Sequence, residues 1–206
     1  MMASTYLRML ALGDSYTIGS GLPLEDSWPC QLTSQLRQNG IKIAEPVIIA
    51  QSGWTSLHLI EALNATPLSG SFDLVSLQIG VNDQYERIKP SIYAENFRDL
   101  LDQSISLSRK GTEGVMVLSI PDWSVTPHAG KFDRSHVQEE LDQYNGINLA
   151  GARSRGVKYI DLTSSSRFAE QHPELLAADG LHPTWEMYWN WTGLIQPTAL
   201  SIFNSS

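Results

Sequence analysis

The sequence predicts an α/β fold, with parallel strands joined by crossover helices that cover both faces of one sheet. Three observations carry this prediction. Short apolar runs alternate with helical patterns almost throughout the 206 residues, the order expected when each strand is followed by a crossover helix. The runs Val47-Ile48-Ile49-Ala50 and Val115-Met116-Val117-Leu118 are apolar at every position, which fits central strands buried on both faces. No internal repeat, low-complexity tract or Pro/Ser-rich linker interrupts the series, so residues 1–206 are read as one domain.

Taken in order, strands are expected at about residues 7–12, 46–50, 73–79, 114–120 and 157–162. After the first, Ser27 caps a helix with Pro29 in its first turn, where a missing N–H costs nothing. Its apolar stripe is Trp28, Leu32 and Leu36, and Gly40 ends it. A longer helix over 92–108 places Ile92, Phe97, Leu100, Leu101 and Ile105 towards one side. Another spans 135–155 and is closed by Gly156. The last, over 184–203, carries Met187, Tyr188, Trp191 and Leu194 inward, and Pro197 is expected to kink or end it. Core packing accounts for Trp28, Trp185, Trp189 and Trp191.

Composition narrows the function. Hydrophobic residues make up 42% and charged residues 17%, an ordinary globular mixture. The net charge of -8 argues against nucleic acid, whose phosphates call for a basic face. Cys30 is the single cysteine, which rules out an intramolecular disulfide and a thiolate cluster; it is read as a buried, inert thiol. His58, His128, His136 and His172 form no metal-ligand spacing and are read as surface or loop residues. No apolar run approaches the roughly 20 residues that span a bilayer. The N-terminus offers only residues 6–12 before Gly13, so no membrane span and a cytoplasmic location are expected.

In open α/β sheets ligands bind at the carboxyl ends of the strands. Gly13-Asp14-Ser15-Tyr16-Thr17 follows the first expected strand, Gln51-Ser52-Gly53-Trp54-Thr55 the second, and Gly80-Val81-Asn82-Asp83 the third. Pro121-Asp122-Trp123 follows the fourth, and Asp179-Gly180-Leu181-His182-Pro183 stands between the fifth and the last helix. These are the parts of acyl transfer. Ser15 needs a base, and a histidine suits the task. Asp179, three residues before His182 with Gly180 between, can orient that base. The N–H groups of Ser15 and Gly53 and the side-chain amide of Asn82 can receive an oxyanion. Trp54, Tyr85 and Trp123 are expected to line the acyl or alcohol pocket.

The four blocks Gly13-Asp14-Ser15, Gly53 with Thr55, Gly80-Val81-Asn82-Asp83 and Asp179-Gly180-Leu181-His182-Pro183 resemble those of the SGNH hydrolases, also called GDSL esterases and lipases. They stand in that family's order and span essentially the whole chain. The resemblance implies a three-layer α/β/α sandwich with a flavodoxin-like five-stranded parallel sheet of order 2-1-3-4-5. It implies catalysis by Ser15, Asp179 and His182, oxyanion donors at Ser15, Gly53 and Asn82, no metal and no cofactor. Tyr16 stands where the family name has leucine, and is expected to alter packing or the site wall. Gln51-Ser52 precedes Gly53 where many members carry an asparagine, which bears on how that loop is held.

The function expected is therefore a serine hydrolase cleaving carboxylic esters of small soluble substrates through an acyl-enzyme. Deacetylation of acetylated carbohydrates, thioester hydrolysis and lysophospholipid hydrolysis share the machinery. A non-catalytic binding module on the same fold is the alternative from a different class. Asp14, Asp83, Asp122 and Asp179 near one edge also permit a carboxylate hydrolase binding Mg²⁺ or acting on glycosides. That reading leaves Ser15, Asn82 and His182 without roles; bracing the loops is the role expected of Asp14 and Asp83.

Overall fold

The structure, a computed structural model, describes residues 6–204. Five strands, β1 (Met9–Gly13), β2 (Val47–Ala50), β3 (Leu74–Gln78), β4 (Val115–Leu118) and β5 (Lys158–Ile160), form one parallel sheet in the order β2-β1-β3-β4-β5. The helices are α1 (Ser15–Ile18), α2 (Trp28–Gln38), α3 (Ser56–Ala65), α4 (Val81–Tyr85), α5 (Pro90–Leu107), α6 (Arg134–Arg155), α7 (Thr163–Ser166) and α8 (Trp185–Asn204). The helix α2 packs on α8, while α5 packs between α3 and α6. This is the expected three-layer sandwich with flavodoxin-like strand order.

Every residue of β1, β3 and β4 is buried, as their unbroken apolar runs require. β2 differs: it is an edge strand, and Val47 is 36% exposed. Its apolar run does not make it central. Buried polar links tie the layers together. Gln78, at the end of β3, accepts hydrogen bonds from Trp28 Nε1 (3.1 Å) and Thr17 Oγ1 (3.2 Å). Gln35 Nε2 on α2 donates to Thr192 Oγ1 on α8 at 2.7 Å.

The helices depart from expectation in four places. α5 begins at Pro90, and Tyr93 is buried with Phe97, Leu100 and Leu101 while Ile92 is 47% exposed; Tyr93 stands one turn before Phe97 and so shares its face, which Ile92 does not. Pro197 does not end α8, which continues to Asn204. The proline is exposed, and Ile195, Ala199 and Ile202 bury on either side of it, so packing holds the two halves in line. Leu194 is exposed because Ile195 takes the inward position. Trp185 and Trp189, expected in the core, are 42% and 43% exposed. One turn apart on the outer face of α8, they stack on each other at 5.2 Å and 16°. Cys30 is half-buried, and burial pushes its thiol pKa up.

The register of the ladder places the site. Gly13 pairs with both Ala50 and Gln78, so β1, β2 and β3 end in one row and their following loops emerge side by side. Gly13 itself is required by closeness: a Cβ there would lie 2.5 Å from the Gln78 carbonyl oxygen and also collide with Thr17.

Candidate active site

Ser15 is the first residue of α1, immediately beyond β1. Asp14 caps that helix, its Oδ1 accepting from Tyr16 N at 3.0 Å. As the first helical residue, Ser15 carries an N–H outside the intrahelical pairing. Its side chain is buried, and Oγ has no hydrogen-bond partner among the described residues. The Asp14 carboxyl is wholly buried, and burial pushes its pKa up to about 7.

The second loop turns at Gly53, whose φ of +82° is a left-handed conformation that glycine adopts without strain. A hydrogen bond between the Ser20 and Ser52 hydroxyls ties this loop to the end of α1. Further on, His58 accepts from Thr55 N at 3.2 Å and closes the first turn of α3. This gives one of the histidines expected at the surface a capping role.

Asn82 lies on α4. Its Nδ2 donates to the Trp54 carbonyl oxygen at 2.9 Å, which orients the amide and leaves its second hydrogen available. Next to it, the buried Asp83 accepts from Ser56 N (2.8 Å) and Ser56 Oγ (2.5 Å). One carboxylate thus clamps the helix bearing Asn82 to the helix that follows Gly53. Burial raises the Asp83 pKa, against the lowering effect of the Ser56 hydrogen bonds.

His182 stands in the loop before α8. Asp179 Oδ1 accepts from Leu181 N (2.9 Å) and His182 N (3.0 Å), while Oδ2 meets His182 Nδ1 at 2.6 Å. Burial alone would push the Asp179 pKa up, but the hydrogen bonds from His182 and Leu181 outweigh it and hold the carboxyl below its ordinary value. The imidazole is also flanked by the Tyr16 ring, 5.7 Å away between centroids.

These pieces converge. Ser15, Gly53, Asn82 and His182 line one cavity of about 270 Å³, together with Tyr85 and Trp123. Tyr16, the departure from the family name, is part of its wall. Trp54 is not: its side chain packs against the core, and it reaches the site only through the carbonyl that holds Asn82. His128, read from sequence as a surface or loop residue, is exposed but lines the cavity against Tyr85 and Trp123. Its place in the loop after β4, five residues beyond Trp123, is the signal that was available. A larger cavity of about 790 Å³ lies between the α7 region and α8 and contains none of these residues.

The edge carboxylates are committed to protein donors. Asp122 accepts from Ser124 N (2.9 Å), Gln138 Nε2 (3.2 Å) and Arg167 Nε (2.8 Å). Among the described residues no group of three or more His, Cys, Asp or Glu is arranged to hold a metal ion. Nor is any described helix long and apolar enough to cross a membrane.

Residues 11–189 match the model of the GDSL-like lipase/acylhydrolase family. An arylesterase of Vibrio mimicus is 28% identical over 177 residues, covering 85% of this chain and 80% of that protein. A GDSL lipase of Mycobacterium tuberculosis is 29% identical over 181 residues, covering 84% and 72%. The structure of the psychrotrophic esterase EstA from Pseudoalteromonas superposes with a TM-score of 0.74 at 16% identity, covering 96% of this chain and 99% of that one. With the family model spanning most of the sheet and all the strand-end loops, the chain belongs to the GDSL-like lipase/acylhydrolase family and is a carboxylic ester hydrolase.

Proposed function

We propose that the chain cleaves carboxylic esters of small soluble substrates through an acyl-enzyme formed on Ser15. The observation that carries this reading is the single cavity shared by Ser15, Gly53, Asn82 and His182, with His182 Nδ1 held by Asp179 at 2.6 Å. In the first step His182 Nε2 takes the Ser15 Oγ proton as Oγ attacks the ester carbonyl carbon. Ser15 Oγ and His182 make no hydrogen bond in the resting arrangement, so the imidazole closes on Oγ when substrate binds, as unliganded sites commonly require. The oxyanion is received by the N–H groups of Ser15 and Gly53 and by the second hydrogen of Asn82 Nδ2. His182 then gives its proton to the leaving alcohol, and water releases the acid from Ser15 by the same steps reversed. The modest cavity volume supports small substrates.

The test is hydrolysis of p-nitrophenyl esters by the wild-type chain and by Ser15→Ala. Turnover should fall by about 10⁴-fold or more in the variant, with an unchanged far-ultraviolet circular dichroism spectrum. Equal activity of the two proteins refutes the nucleophile. A folded chain inactive on every ester moves the assignment to the binding-module reading, and activity abolished by a chelator moves it to the carboxylate one.

A further inference from the structure

We propose that the Tyr85 ring is the partition that limits how long an acyl chain the enzyme accepts; this deepens, and rests on, the reading of Ser15 as nucleophile. Beside the 270 Å³ cavity lies a second of about 290 Å³, bordered by α4 and the start of α6. Tyr85 and Trp123 line both. They are held in different ways. Trp123 is buried, and its Nε1 donates to Gln84 Oε1 at 2.9 Å. Gln84 Nε2 donates in turn to Glu140 Oε2 on α6 at 2.7 Å. Trp123 is therefore a fixed wall. Tyr85 is 49% exposed, and its hydroxyl has no hydrogen-bond partner among the described residues. Its ring rests edge-on against Trp123 at 5.6 Å and tilted against Phe132 at 5.9 Å. Only ring contacts keep it in place.

Its position relative to the chemistry sets what it separates. Asn82 and Tyr85 are three residues apart on α4 and so share a face, which sets the ring beside the proposed oxyanion donor. His182 has to reach the leaving oxygen, so the alcohol half occupies the side of the base. The acyl chain is then directed past Asn82 towards Tyr85. With the ring in place, the chain stops within a volume below the roughly 300–1,000 Å³ of drug-sized pockets. Without the ring the two cavities join, and the space more than doubles. Phe132 and Val137 offer apolar walls beyond; Arg87, Lys131, Asp133 and His136 around them are exposed to solvent, and the half-buried Glu140 is held by Gln84.

The experiment is kcat/KM for p-nitrophenyl acetate, butyrate, hexanoate and octanoate, and for a series of alkyl acetates, with wild type, Tyr85→Ala and Tyr85→Phe. Tyr85→Ala should raise the octanoate-to-acetate ratio by about tenfold or more, whereas Tyr85→Phe should keep the wild-type ratio because the ring, not the hydroxyl, divides the space. An octanoate-to-acetate ratio unchanged in Tyr85→Ala overturns the proposal. So does a response confined to the alkyl acetates, which would put the alcohol at the partition. A Tyr85→Phe ratio shifted as far as that of Tyr85→Ala would overturn the steric account. Should Tyr85→Ala not fold, Tyr85→Leu carries the same test with a smaller wall. Ser15→Ala is run beside these: if it keeps wild-type turnover, the nucleophile reading fails whatever the Tyr85 profiles show.

Discussion

Asn82 donates one of its two amide hydrogens to the Trp54 carbonyl oxygen, and the other is the one assigned to the oxyanion in the proposed mechanism. A side chain held this way acts as a rigid donor, which matters because an oxyanion is stabilised only by dipoles already aimed at it. Asn82→Ala should lower kcat by about 10²- to 10³-fold with little change in KM, since the donor engages charge that develops in the transition state; steady-state kinetics on a nitrophenyl ester checks it. At this scale the sequence was legible wherever a residue's place follows from its backbone position. Gly53 and Ser15 sit in the predicted loops because a strand end fixes where a backbone N–H emerges. Trp54 was not legible in the same way. Whether an indole points into a cavity or into the core depends on the rotation of a single loop residue, and here it packs inward and leaves its carbonyl to act.

Between elements, Asp83 is the joint, joining α4 to the first turn of α3 through Ser56 N and Ser56 Oγ. Ser56→Ala removes the hydroxyl and leaves Asp83 Oδ1 without that donor in a buried setting, a loss of about 1–3 kcal/mol. The denaturation midpoint should fall accordingly, and kcat should fall with it because Gly53 and Asn82 lose their common brace. Pro197 gives the opposite sign. A proline inside a helix removes one backbone hydrogen bond and crowds the carbonyl four residues before it, at a cost of about 3 kcal/mol, partly offset by a stiffer unfolded chain. Pro197→Ala should therefore raise the stability of the protein by about 1–3 kcal/mol, read as a higher melting temperature. These same elements mark where periodicity failed as a guide. The helix α3 spreads its apolar residues around its circumference, with Leu59 and Leu63 buried and Leu57 exposed, so no single stripe announces it. Pro197 could not be judged from the chain because the packing that overrides it comes from α2.

The whole molecule responds to pH through its buried acids. Asp14 has a folded pKa of about 7 against 3.8 for the free side chain, so the folded chain holds this proton more tightly than the unfolded one. The stability that proton confers is complete below about pH 4 and is lost as pH rises through about 7. Asp83, also raised by burial, acts in the same sense. Asp179 and Asp161 have lowered values and work the other way, losing their contribution only on acidification below the ordinary carboxylate range. Urea midpoints of the wild-type chain should fall between pH 5 and pH 7.5 (values chosen within that window), and Asp14→Asn should show a shallower decline. A wild-type midpoint that rises across this interval would contradict the assignment. At this scale the sequence was most informative. Five apolar runs and the loops after them pointed to the architecture and to the edge where the candidate residues gather, because parallel strands joined by crossover helices leave so few other arrangements.

Along the chain Ser15, Gly53 and Asn82 come before His182, and the strands β1, β2 and β3 that precede them come before β4 and β5. The proposed base comes on the loop before α8, and α8 follows it, with Trp191 against the Tyr16 ring and Tyr188 against Trp191. On the proposed mechanism Ser15 has no base until His182 is made, and an unactivated hydroxyl is a poor nucleophile. On that reading the growing chain holds no activated serine until His182 and the packing around it are in place.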